Sequence, residues 1–134
     1  MYFLDTDVSS YLMKRSHPAL IERVKAFAPR ELKISTVTAS ELEFGAWRSG
    51  RGERIRRVLD AFFLNVEVVP FDFEAACQAA AIRAELTTGG NLIGAYDLLI
   101  AGHARSRDAT LVTNNVCEFS RVSGLSVENW SEDT

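Results

Sequence analysis

Short apolar runs punctuate this chain at "YFLD", "KISTV", "VEVVP" and "ATLVT". Between them, apolar residues recur three and four apart, the period of a helix that buries one face. The pattern predicts a strand at "YFLD", a helix from Thr6 to Lys14, and a second from Pro18, a favourable first-turn residue, to Ala28. Residues 33–37 read as the next strand. Thr38 then opens a helix that reaches Arg48, "GRGE" breaks it, and Ile55, Val58, Leu59, Phe62 and Phe63 give Glu53–Leu64 an apolar stripe. After "VEVVP", the Ala-rich stretch from Asp72 to Thr88 is strongly helical, and glycines at 89 and 90 end it. A helix over Ala95–Ser106, a strand at "ATLVT" and a short fifth strand in "LSVENW" complete the series.

Strands separated by helices require crossover connections, and these build a parallel sheet covered on both faces. The expected fold is α/β, a three-layer sandwich with a short, mainly parallel central sheet flanked by helices. A chain of 134 residues that is 47% hydrophobic suffices for one core, and no linker or repeat divides it, so one domain over 1–134 is expected. The N-terminal residues lack a basic segment followed by a long apolar one, and no apolar run approaches a membrane span, so a cytoplasmic protein without membrane attachment is expected. Cys77 and Cys117 lie forty residues apart without metal-site spacing and read as reduced thiols.

A net charge of −3 argues against a generally basic nucleic-acid-coating surface. The charge is uneven, however. Residues 1–67 carry 11 basic and 9 acidic groups, residues 68–134 carry 4 and 9, and Arg48, Arg51, Arg54, Arg56 and Arg57 crowd into "RSGRGERIRR".

In parallel α/β sheets, ligands bind outside the carboxyl ends of the strands. The acids fall there. Asp5 ends the first strand and Asp7 follows it; Glu41 is expected in the first turn of the helix after the second; Asp97 sits in the first turn after "GGNLIGAY"; Asn115 and Glu118 follow the fourth. Each acid alone is explained by helix capping: Asp5 as an N-cap, Thr38 and Glu41 as a capping box in "TASE", Asp97 as a complement to the helix dipole. Together they would share one cleft, and carboxylates that close repel unless a cation lies between them. An all-oxygen donor set suits Mg²⁺ or Mn²⁺, and such an ion would activate water against a phosphodiester. His17 precedes Pro18 in a loop, and His103 lies inside an apolar helix, where a hydrogen-bonded structural role is expected. No serine-nucleophile elbow, phosphate-binding loop or dinucleotide fingerprint is present.

The segments "FLDTDVSSYL", "STVTASELEFGA", "AYDLLIAGHA" and "LVTNNVCEF", in that order, together resemble the PIN-domain ribonucleases, and within them the VapC toxins of bacterial toxin–antitoxin pairs. The resemblance spans nearly the whole chain. It implies that Asp5, Glu41 and Asp97 are catalytic and bind Mg²⁺ or Mn²⁺, and that the chain is an endoribonuclease acting on structured RNA, with tRNA the expected substrate. It further implies a homodimer, a cognate VapB-type antitoxin whose tail fills the cleft from a groove between the early helices, and operator DNA bound only through the antitoxin complex. Phe44 and Trp47 are surplus aromatics for that groove.

Two positions depart from the family pattern. Asp7 stands where the family often has Asn, which adds a negative charge. Past the fourth strand, where a fourth acid is expected, the chain has the amide of Asn115, with Glu118 one helical turn on as the nearest carboxylate. Both, with Asp7, are candidates to complete the metal site. Arg48, Arg51 and Arg54 are candidate contacts to RNA phosphates; the alternative is a solvated helix face with Glu53 and Arg57 paired. Two other functions compete: a haloacid-dehalogenase-like phosphatase with Asp5 as nucleophile and Asp7 as general acid, and a non-catalytic PIN-like binding module.

Overall fold

The computed structural model describes residues 1–50 and 52–131. In chain order the elements are β1 (Tyr2–Leu4), α1 (Thr6–Lys14), α2 (Pro18–Val24), a 3₁₀ turn (Pro29–Glu31), β2 (Leu32–Ser35), α3 (Thr36–Ser49), α4 (Glu53–Leu64), β3 (Glu67–Val69), α5 (Phe73–Gly89), α6 (Ala95–Ser106), β4 (Thr110–Val112), α7 (Val116–Phe119) and β5 (Ser126–Glu128). The strands form one parallel sheet in the order β3-β2-β1-β4-β5. The expected α/β sandwich is what the chain builds.

Alternation along each strand divides the interior into two layers, because successive side chains point to opposite faces. Phe3, Leu111 and Val69 join Ile82, Leu86, Ile100, Ala101 and Phe119 beneath α5, α6 and α7. Leu4, Val112, Leu32 and Ile34 face Val8, Leu20, Leu42, Leu59 and Phe62 from α1 to α4. Each large apolar side chain fully buried in this way stabilises the fold by roughly 1.5–3 kcal/mol. On the first face the packing is tight enough to require glycine: a Cβ on Gly102 of α6 would lie 2.6 Å from the Cα of Ala79 on α5. The "GRGE" break is made by Gly50 and Gly52 at φ +66° and +55°, conformations that cost other residues.

Several boundaries differ from the sequence pattern. α2 ends at Val24 rather than Ala28, with turn bonds from Ala26 N–H and Phe27 N–H closing it. β2 stops at Ser35, whose hydroxyl accepts the Val37 N–H at 3.1 Å and caps α3 three residues before the expected cap, Thr38. The proposed Thr38–Glu41 capping box is therefore wrong: Thr38 is already helical and buried, and Glu41 lies in the second turn. The Glu53–Arg57 pair is also replaced. Arg56, on the turn's inner side, takes Glu43 through two bonds at 2.6 and 2.9 Å and pairs with Asp60 at 2.8 Å. No helix among the described residues is long and apolar enough to cross a membrane.

The strand order positions the site. From β1 the chain moves to one side through β2 and β3, then returns past β1 to β4 and β5. Such a reversal opens a crevice at the carboxyl edge between the two strands where it occurs. β1 and β4 end level, with Leu4 opposite Val112, and the Asp5 N–H bonds the Val112 carbonyl at 3.1 Å. Asp5 and Thr113 thus leave the sheet side by side.

Candidate active site

Asp5 has two tasks. One carboxylate oxygen caps α1, accepting the Val8 N–H at 2.8 Å, while the other accepts the Thr113 hydroxyl at 2.6 Å. Its backbone carbonyl accepts the Ser9 hydroxyl at 2.8 Å. The side chain is only 3% exposed, and this burial pushes its pKa from 3.8 to about 6; the bonds from Thr113 and Val8 oppose the rise, and the charges of Asp7 and Glu41 add to it. Capping and site chemistry, rival explanations at the level of sequence, coexist in one residue.

Glu41 reaches the same crevice from α3, where one of its oxygens accepts the Thr6 hydroxyl at 2.7 Å. Asp97 enters from the first turn of α6, half-buried. Burial pushes its pKa up to about 7, reinforced first by the charge and hydrogen bond of Glu118 and then by the charges of Asp5 and Glu41. Asp5, Glu41, Asp97 and Glu118 therefore act on one another through space. None of them forms an ion pair among the described residues.

The segment after β4 closes the cleft. Asn115 precedes α7 but does not cap it with its side chain. Instead its amide donates to one oxygen of Glu118, whose other oxygen accepts the Gly94 N–H at 3.1 Å. Gly94 occupies the N-cap position before α6 and has no side chain of its own to cap with, so Glu118 ties α7 to the helix that carries Asp97. A Cβ on Gly94 would lie 3.6 Å from the Asp97 Oδ2 and 4.0 Å from the Glu118 Oε1, ordinary contact distances, so the link rests on the Gly94 N–H and not on the missing side chain.

Thr113 was missed by sequence reasoning. Fully buried, it accepts the Asn115 N–H at 2.9 Å and donates to Asp5, linking the fourth strand to the first acid. Its only signal was a hydroxyl in the last position of an apolar run. Asp7 is exposed on the first turn of α1 and reaches the site only through its charge on Asp5.

The arginines are arranged otherwise. The Arg48 guanidinium lies 5.6 Å from the Phe44 ring, Arg54 is exposed on α4, and neither forms an ion pair with the four carboxylates; Arg51 lies outside the described residues. His103 is buried as expected, yet among the described residues neither ring nitrogen has a hydrogen-bond partner. It packs edge-on against Phe3 and Phe71 instead, and burial pushes its pKa from 6.5 down to about 4.

Among the described residues, no three Asp, Glu, His or Cys side chains are already drawn into a metal cage. The donor set nevertheless fits a hard cation. It consists of carboxylate oxygens on an open edge, bearing negative charge that forms no ion pair among the described residues, and Mg²⁺ is commonly held by one or two carboxylates with water completing its shell.

The PIN domain family matches residues 2–125, spanning every element that builds this crevice. The chain belongs to that family. Among its PIN-domain relatives, the tRNA(fMet)-specific endonuclease VapC of Shigella flexneri is 40% identical over 97% of this chain and 98% of its own. Ribonuclease VapC2 of Rickettsia felis is 34% identical over 98% and 99%. The DNA-bound VapBC structure of Salmonella typhimurium superposes with a TM-score of 0.91 at 39% identity, covering 96% of this chain and 97% of that one. The protein is thus a VapC-type PIN-domain protein. The phosphatase reading loses its support: nothing in this family match favours it, and the exposed Asp7 does not share the buried position of Asp5.

Proposed function

We propose that this chain is a metal-dependent endoribonuclease toxin that cuts structured RNA, tRNA first among candidates, and is restrained by a VapB-type antitoxin. The observation that carries the proposal is the convergence of Asp5, Glu41, Asp97 and Glu118 on one strand-edge crevice without a basic partner among the described residues. Buried charge of one sign is costly, and a site that keeps it is built for a counter-ion.

Asp5, Glu41 and Asp97 would hold Mg²⁺ or Mn²⁺. When bound, the ion supplies Lewis acidity toward a phosphate oxygen and a more acidic water. The chain's own groups orient the carboxylates. Thr113 and the first turn of α1 fix Asp5, Thr6 fixes Glu41, and the Asn115–Glu118 link holds the start of α6 under Asp97. In this assignment Glu118 supplies the fourth carboxylate and Asn115 orients it. That the Shigella relative is named for tRNA(fMet) supports a tRNA substrate.

Partner surfaces are available in two places. A groove of about 640 Å³ between α1, α2 and α4 is lined by Leu12, Met13, Val24, Phe27, Val58 and Val66, which suits an amphipathic antitoxin helix. Phe44 and Trp47 do not line it, contrary to expectation; they stand 61% and 86% exposed on α3 and suit a second copy of this chain. The VapBC structures among the relatives support the antitoxin as partner, and DNA in the Salmonella complex supports operator binding through it.

The test is to incubate the purified chain with tRNA in Mg²⁺, Mn²⁺ or EDTA, beside Asp5→Ala, Asp97→Ala and Asp7→Ala. Metal-dependent cutting is expected from wild type and, at reduced rate, from Asp7→Ala, and none from the other two. Equal cutting by all four proteins would overturn the proposal.

A further inference from the structure

The last turn of α1 and the connection to α2, "YLMKRSH", belong to neither the acid cleft nor the sheet. Its two aromatic side chains are stacked: the Tyr11 and His17 rings lie 3.9 Å apart at 20°. His17 does not cap α2; its Nδ1 is hydrogen-bonded to the Ser16 hydroxyl at 2.9 Å, and the ring is only half-buried. The Tyr11 hydroxyl accepts the Asn114 amide at 3.3 Å, and Asn114 directly follows Thr113, whose hydroxyl is bonded to Asp5. Along α1, Tyr11 stands six residues from Asp5, an axial rise of about 9 Å.

The turn is basic and bonded back onto α1. Arg15 adopts φ 53°, and the N–H groups of Arg15 and Ser16 bond back to the carbonyls of Leu12 and Tyr11 at 3.3 and 3.2 Å. Lys14 and Arg15 are exposed and form no ion pair among the described residues, although Arg15 also borders the apolar groove. Stacked aromatics interleaved with free cations are the elements of a single-strand nucleic-acid surface, in which the rings take bases and the cations track the backbone.

We infer that the Tyr11–His17 pair is a stacking platform for an unpaired RNA base close to the cleaved phosphodiester, with Lys14 and Arg15 holding the adjoining phosphates. It rests on the ribonuclease reading for its ligand. A positive, aromatic shelf beside the cleft answers a problem the carboxylates create, since their charge repels the strand they are to cut. The face of His17 turned away from Tyr11 is the one left for a base to stack on, and the Asn114–Tyr11 bond ties the shelf to the segment beside Asp5. Preorganisation of this kind lowers the entropic cost of binding.

The platform is tested in EDTA, with short single-stranded RNA carrying 2-aminopurine at successive positions, titrated into wild type, His17→Ala, His17→Phe and Tyr11→Phe. Fluorescence quenching at one position is expected with wild type and retained in His17→Phe and Tyr11→Phe. In His17→Ala it is lost, with affinity roughly tenfold weaker. Removing Lys14 or Arg15 lowers the slope of log affinity against log salt by about 0.7 each. Quenching and affinity unchanged in His17→Ala overturn the inference. So does a defect confined to capture of the cognate antitoxin, which makes the shelf a protein dock. Cleavage of tRNA in Mg²⁺ is scored separately: His17-dependent quenching without cleavage sinks the nuclease reading alone, and cleavage with His17-independent binding sinks the platform alone.

Discussion

Asp5 and Asp97 retain protons in the folded chain that they would lose in the unfolded one, and His103 does the reverse. Between pH 4 and about 6 for Asp5, and up to about 7 for Asp97, the native state binds more protons than the unfolded state, so stability falls as pH rises through that window. For His103, held neutral down to about 4, the unfolded state binds more protons below 6.5, and stability falls as pH drops through its window. Asp97→Asn removes one acid from the balance while preserving its shape. In EDTA at pH 7.5 it is expected to raise the unfolding midpoint by roughly 2–6 °C, measured calorimetrically, and to abolish RNA cutting. Saturating Mg²⁺ should shrink or reverse that advantage, because an ion that binds only the native wild-type site stabilises it by mass action. A midpoint lower than wild type in EDTA would mean that Asp97 is a structural ligand of its neighbours rather than a group held at a cost for function.

At the scale of elements, the contact of α5 with α6 depends on a residue that has no side chain. Gly102→Ala places a methyl group 2.6 Å from the Ala79 backbone, which must move, and overpacking of this sort costs about 1–3 kcal/mol. Urea unfolding should show that loss, and a neutral result would mean that α5 slides freely over α6. The helical and extended periods carried most of this architecture: α1, α4 and α6 occupy the residues their apolar spacing indicates. What they could not carry was the cap at Ser35, because a hydroxyl at the end of a strand looks the same whether it continues the strand or starts a helix. In the cleft, Asp5 and Asp97 were legible because a strand end and a helix start are legible, whereas Glu41, expected in a first turn, lies a turn further into α3. Thr113 and the Glu118–Gly94 bond were not legible. A buried hydroxyl has no spacing signature, and a bond across 24 residues depends on how α7 and α6 are brought together.

Over the whole molecule, the acidic crevice and the apolar groove share α1, whose first turn is tied to Asp5 and whose last residues, Leu12 and Met13, line the groove. Val58→Asp puts a charge on an exposed position of that groove and leaves the core intact. It is expected to abolish antitoxin capture in a pull-down while tRNA cutting and unfolding midpoint stay at wild-type values; capture unchanged would move the antitoxin elsewhere. The central place of β1 has a consequence in time. Its strand is made first, but its partner across the crevice is β4, and the bond from Thr113 to Asp5 joins residues 108 positions apart. During synthesis a chain folds from what has already emerged, and contacts this distant close last. A ribosome carrying an unfinished copy therefore carries the acids without the cleft. The cleft exists only once β4 has been made and paired with β1, so whatever the acids do begins at that point.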